Sequence, residues 1–184
     1  MTKLEKIREW SERAYRIAAE HGWHDEEKSD ELWMSLVMSE VAELVEADRK
    51  GRNTSPNIES EYDKERLKDD TGFFFFYDAE VKGTIQEEFA DIIIRLLDYA
   101  YMKWGDCMEE VYDRDFQRRE GWTIPEHAWR FCKDILDIGH MSVVNSIWYM
   151  IDWAEDAGVD LDMHVEWKMR YNSLRPYRHG HKKY

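Results

Sequence analysis

The chain reads as an all-α protein, a helical bundle of about five to six helices forming a single domain over residues 1–184. Three observations predict this. Helix breakers are scarce, with nine glycines and three prolines in 184 residues, roughly half their usual share. Charged residues make up 36% of the chain against about 25% on average, a balance that suits long amphipathic helices. Finally, the stretch Thr84–Ala100, read at about 100° per residue, puts Glu88, Asp91, Arg95 and Asp98 on one narrow stripe. Ile85, Phe89, Ile92, Ile93, Ile94, Leu96 and Leu97 cover the rest of that cylinder. A helix apolar on nearly every side is a buried helix, so its polar stripe is expected to be buried as well.

Taken in order, Leu4, Ile7, Tyr15, Ile17, Ala18 and Ala19 support a first helix over Leu4–His21, stopped by Gly22. Ser29 or Asp30 is placed to cap a second helix, Leu32–Lys50, which meets no breaker before Gly51. Trp33, Leu36, Glu40, Glu43, Leu44 and Ala47 share one face of it, so two carboxylates interrupt an otherwise apolar stripe. Residues 51–83 form a long connection. Its charge run Glu59–Asp70 is either a short exposed helix or mobile, and its aromatic run Phe73–Tyr77 shows no helical period. The aromatics are expected at an oligomer interface or, alternatively, in the chain's own core; loops of this length often serve as lids or subunit contacts.

Thr84 opens the third helix as a capping box with Glu87, which assigns Glu87 a structural role and leaves Glu88 facing inward. Asp106–Gly121 is weakly helical and rich in charge. Pro125 fits the first turn of a fourth helix through Ile138. Met141–Ala157 forms a fifth, and Asp160 or Asp162 caps a sixth from about Met163 to Leu174, ended by Pro176.

Buried carboxylates without partners are costly, and one arginine is too little for the acids of the third helix. The second helix supplies Glu40 and Glu43, and the third supplies Glu88 and Asp91. A spacing of three puts each pair on one helical face. If the two helices face each other antiparallel, four carboxylates converge. Two of them at about 4 Å repel by about 4 kcal/mol at an effective dielectric near 20. Oxygen donors without His or Cys favour Mg2+, with Mn2+ as a possible substitute, ions that also engage substrate phosphates. The chemistry expected of such a centre is hydrolysis of a phosphate ester or anhydride.

Glu40-Val-Ala-Glu43 followed by Glu88-Phe-Ala-Asp91 resembles the paired acidic helix motifs of the MazG-like all-α nucleoside triphosphate pyrophosphohydrolases, a superfamily that includes dimeric dUTPases and dCTPases. The ending Lys168-x-x-x-Asn172-x-x-Arg175 is similar to one seen in the same superfamily. The resemblance implies that Glu40, Glu43, Glu88 and Asp91 are the catalytic metal ligands and that Lys168, Asn172 and Arg175 contact the nucleotide. It also implies a homo-oligomer, dimer or tetramer, that cleaves the α–β phosphate bond of a nucleoside triphosphate to release pyrophosphate. Many relatives carry Glu-Glu-x-x-Glu in the first motif, whereas Ser39 takes the leading place here. Arg95, one turn after Asp91, is placed either to touch phosphate or to form a salt bridge with Asp98 or Glu43. A non-catalytic nucleotide- or metal-sensing bundle is the alternative reading. A di-iron oxidase is set aside because Glu-x-x-His is missing from the sequence.

A net charge of −14 argues against non-specific nucleic-acid binding. The charge is divided unevenly. Residues 165–184 hold six Lys/Arg and one acid, a local +5, and the first 164 residues hold 20 bases and 39 acids, or −19. This basic C-terminal arm either meets a polyanion or docks on the acidic body. Arg170, Arg178, Lys182 and Lys183 are expected to be solvated, and His179 and His181 to belong to a flexible end. Among the tryptophans, Trp33 included, most are expected in the core. No run approaches the ~18 apolar residues of a membrane span, and Met1-Thr-Lys-Leu-Glu-Lys lacks the apolar core of a signal peptide. The expected location is cytoplasmic, where Cys107 and Cys132 are packed thiols.

Overall fold

The computed structural model describes residues 1–62, 68–108, 121–181 and 183, and every described element is helical. In chain order these are α1 (Lys3–Glu20), α2 (Asp30–Arg49), α3 (Ile58–Tyr62), α4 (Asp70–Glu80), α5 (Ile85–Trp104), α6 (Ile124–Asp134), α7 (His140–Asp156), α8 (Leu161–Ser173) and a short irregular turn, α9 (Arg178–His181). Most of the expected reading of Asp106–Gly121 lies outside the described residues, as do the middle of the charge run Glu59–Asp70, Lys182 and the side chain of His181. No helix among the described residues is long and apolar enough to cross a membrane.

The hub is α5, packed against α1, α2, α7 and α8. Phe89, Ala90, Ile92, Ile93, Leu96, Leu97 and Tyr99 are all fully buried, each large aliphatic contributing about 1.5–3 kcal/mol of burial. Helices α2 and α5 run antiparallel. Lys103 at the end of α5 pairs with Asp30 at the start of α2 at 2.8 Å, and Ile85 N donates to Arg52 O at the opposite end. Ser29 caps α2, accepting from Leu32 N, and Asp160 caps α8, accepting from Met163 N.

Three expectations need correction. The aromatic run belongs to α4, capped by Asp69, and it has a helical period after all. Phe73, Phe76 and Tyr77 at i, i+3 and i+4 are buried against Trp167 and Tyr171 of α8, while Phe75 points outward at 67% exposure. An unbroken apolar run conceals such a period in sequence, and these rings fill the chain's own second core rather than requiring a neighbour. Next, the basic arm over 165–184 is an arm only in its last part, because its first part belongs to the helix expected to reach about Leu174. Val165, Trp167, Met169 and Tyr171 are core residues of α8, and only 174–181 drapes over the surface. Lastly, the capping box at Thr84 is half-formed. Thr84 Oγ1 accepts from Glu87 N at 3.3 Å, but the Glu87 carboxylate turns to Gly83 N and to Lys168.

Candidate metal and anion site

A cleft of about 600 Å³ opens between α2, α5 and α8, with Glu40, Glu43, Glu87, Glu88 and Asp91 in its lining. The positions follow from helix geometry. Glu40 and Glu43 project from α2 toward α5, and Glu88 and Asp91 return from α5 toward α2. One oxygen each of Glu40, Glu43 and Glu88 lies within 4.8 Å of the others, close enough to share an ion. Glu43 is exposed to the cleft, and Glu40 and Glu88 are buried. Glu88 is 4% exposed, and its Oε2 is buried with no hydrogen-bond partner. A carboxylate oxygen left unpaired in a closed site is the feature a hard cation would satisfy, and the all-oxygen donor set fits Mg2+ or Mn2+.

The electrostatics show how short of positive charge this cluster is. Burial, then the charges of Asp91, Glu87, Glu40 and Glu43, push the Glu88 carboxyl up to about 9. Burial and Asp91 lift Glu40 to about 7 against the opposing pull of Arg95. Glu87 is raised by burial in spite of its contact with Lys168. Each shift expresses the cost of the ionised form in a crowded, partly dry volume.

Asp91 lies beside the three-acid cluster, where its charge acts on both Glu40 and Glu88, but it is not one of the three acids that converge within 4.8 Å. It pairs with Lys168 Nζ at 2.6 Å, and the same ammonium holds Glu87 Oε1 at 2.5 Å. Lys168 is only 5% exposed. Burial alone would lower its pKa, but Asp91 and Glu87 overcome that and raise it, so it is a fixed cation. Arg95 takes neither partner expected from sequence. Its Nε donates to Glu40 Oε1 at 2.7 Å, and Nη2 lies 2.6 Å from the same oxygen as an ion pair. Asp98, the last acid of the stripe, is held by His24 Nε2 at 2.7 Å and leaves the metal question altogether.

The opposite wall is basic and polar. Lys168, Asn172 and Arg175 line the same cleft as the acids, the stacking implied by their spacing of four and three. Asn172 Oδ1 is buried without a partner, and the Arg175 guanidinium lies over the Tyr171 ring at 5.7 Å. Two residues of the basic arm dock on the acidic body. Arg170 docks on Asp70 at 2.9 Å and Arg178 on Glu26 at 3.0 Å, so neither is simply solvated. Arg175, by contrast, faces the cleft.

Several cleft residues were not anticipated. Arg52 and Lys82 come from the ends of the connection between α2 and α5, and no local pattern marks them. Trp23 and Trp33 line the apolar end, where Trp33 stacks on His24 with ring centroids 5.3 Å apart. Trp33 Nε1 is buried without a partner. Glu87, expected only as part of the helix cap, also lines the cleft; its spacing of four from Asp91, which puts both on one face, is the signal that could have found it. His179 is also in the lining, edge-on to Trp23 at 5.2 Å. Neither cysteine forms a disulfide among the described residues, and both are partly buried. No protein-family model, no curated protein and no solved structure matches the chain.

Proposed function

We propose that the protein is a magnesium-dependent nucleoside triphosphate pyrophosphohydrolase with a MazG-like all-α fold, acting on the α–β phosphate bond to give a nucleoside monophosphate and pyrophosphate. One observation carries the reading. Three carboxylates close enough to share a cation, one with an orphaned buried oxygen, face Lys168, Asn172 and Arg175 across a single cleft. That combination matches a substrate that is itself a metal-bound polyanion.

Glu40, Glu43 and Glu88 would hold the ion. When bound, magnesium would polarise phosphoryl oxygens and lower the pKa of a water molecule. The chain's own residues do the rest. Arg175, with Arg52 and Lys82 at the rim, offers positive charge to the outer phosphates. Asn172 presents an amide for a phosphate or sugar oxygen. Arg95 fixes the Glu40 carboxylate through a hydrogen bond and an ion pair on one oxygen, leaving Oε2 outside that pair. Trp23 and Trp33 line the far end, where they exclude water and give a nucleobase aromatic surface to lie against.

The test is incubation with a panel of canonical and modified nucleoside triphosphates and Mg2+, with the products separated. Monophosphate and pyrophosphate are expected. Orthophosphate, equal turnover in chelator, or no turnover of any triphosphate would overturn the assignment. Glu40→Gln is expected to lower turnover by at least about a hundredfold with circular dichroism unchanged.

A further inference from the structure

Asp91 matches the position of a fourth ligand and its charge acts on Glu40 and Glu88, yet it is not one of the three acids that converge within 4.8 Å, and it is paired with a lysine instead. Lys168 reaches from α8 into the gap between Glu87 and Asp91, at 2.5 and 2.6 Å. The stacked rings of Tyr77 and Tyr171 flank the same ammonium, their centroids 5.8 and 5.7 Å from it. With a buried cation so placed, the metal-free protein satisfies Asp91 internally while Glu88 Oε2 stays unpaired three residues away on the same helix.

We propose that Lys168 is a built-in counter-cation which a divalent ion displaces: an ion entering at Glu40, Glu43 and Glu88 draws Asp91 into the cluster and releases the Lys168 ammonium toward an anion in the cleft. The inference rests on the metal-dependent reading above. Two positive centres contend for one carboxylate, and a doubly charged ion at short range repels the ammonium as strongly as it attracts Asp91. The exchange leaves the charge of the closed site supplied at every stage, first by lysine and then by metal. It also makes the lysine available as a phosphate ligand only once the metal has arrived, so that metal and anion bind in concert. Lys168 is accordingly a positioning residue for Asp91 as well as a candidate substrate contact.

The test uses the full chain stripped of metal and no nucleotide, with Mn2+ as the probe followed by electron paramagnetic resonance. Wild type, Lys168→Met and Glu88→Gln are titrated side by side. Lys168→Met is expected to bind Mn2+ roughly tenfold tighter than wild type, and Glu88→Gln to bind it at least tenfold more weakly. Removal of a neighbouring positive charge would by itself tighten binding, so displacement needs its own readout, one that uses the wild-type protein. Lysine acetylation read by mass spectrometry should find Lys168 protected without metal and reactive when Mn2+ saturates the site, with exposed Lys82 as the internal reference. Protection that persists at saturating Mn2+, or equal Mn2+ affinity in wild type and Lys168→Met, overturns the displacement while leaving the metal site intact. If Glu88→Gln leaves Mn2+ affinity unchanged, the ion is not at the cluster, and the metal-dependent reading falls together with this one.

Discussion

Glu88 shows at a single residue how function and stability oppose each other. Its carboxyl is pushed up to about 9 by burial and four nearby acids, whereas in the unfolded chain it ionises near 4.5. Between those values the folded protein holds a proton that the unfolded chain has lost, so stability falls as pH rises through this window. Glu88→Gln removes that loss. In chelator at pH 8 the variant is expected to be more stable than wild type by on the order of 2 kcal/mol, measured by urea denaturation, and to have lost metal binding. Equal or lower stability would show that the site is already relieved by other means. His164 behaves with the opposite slope. It is 2% exposed, Nδ1 has no partner, and burial lowers its pKa to about 4 in spite of Asp160. The unfolded chain takes up a proton near 6.5 that the folded chain refuses until about 4. Stability is therefore complete above 6.5 and lost as pH falls toward 4, by up to about 3 kcal/mol. The difference in urea midpoint between wild type and His164→Leu should shift in that window and stay level from pH 7 upward. A constant difference from pH 4 to 8 would mean that the imidazole is protonated alike in both states.

At the scale of elements, the C-terminal segment depends on one glycine. Gly22 has φ +78°, in the left-handed region, and the Tyr177 ring lies where a side chain would begin, with a Cβ placed only 2.1 Å from Tyr177 Cε2. The ring is held there by its hydroxyl donating to Asp25 Oδ2 at 2.5 Å. Around it, Arg178 N donates to His21 O and His21 Nε2 lies 2.9 Å from Arg175 O. Gly22→Ala is expected to expel Tyr177 and free 175–181, exposing the backbone there to limited proteolysis. In a Tyr177→Ala background the same substitution should cost only about 1 kcal/mol, the conformational penalty of the positive φ. Equal protease sensitivity of Gly22→Ala and wild type would refute the latch. Helix boundaries such as Ser29 at the start of α2 and Asp160 at the start of α8 were legible because a cap, an apolar period and a breaker agree there. The Glu40, Glu43 and Glu88 cluster was legible for a related reason, since spacing alone puts those acids on facing stripes. Helix α4 was not, because five aromatics in a row carry no contrast from which to read a period. Partnerships across the bundle were hidden as well. Lys168 with Asp91, Arg95 with Glu40 and His24 with Asp98 depend on which helices become neighbours, and no local spacing encodes that.

For the whole molecule, the question is how a chain of net charge −14 keeps six carboxylates in the lining of one cleft. Part of the answer is internal. Three cations of the last 20 residues are paired within the chain, Arg170 with Asp70, Arg178 with Glu26 and Lys168 with Asp91, and α1 contributes Arg13 to Glu166. Of these only the Lys168 pair is buried, and surface pairs are worth at most about 1 kcal/mol each. The acids near Glu88 keep an unmet demand for cation, and two kinds of salt should meet it differently. Sodium chloride screens long-range repulsion and weakens the exposed pairs together, with a small net effect on melting. Magnesium that occupies the cluster stabilises the folded state by mass action, about 2.7 kcal/mol at a hundredfold excess over its Kd. In a protein of this size that amounts to a rise in Tm of about 5–10 °C. The expected result is a clear rise in Tm with millimolar MgCl2 over NaCl matched for ionic strength, abolished in a Glu43→Gln, Glu88→Gln double variant. The decisive comparison is the matched one: if both salts move Tm equally, the ion acts as diffuse charge and the carboxylates of α2 and α5 do not form a metal site.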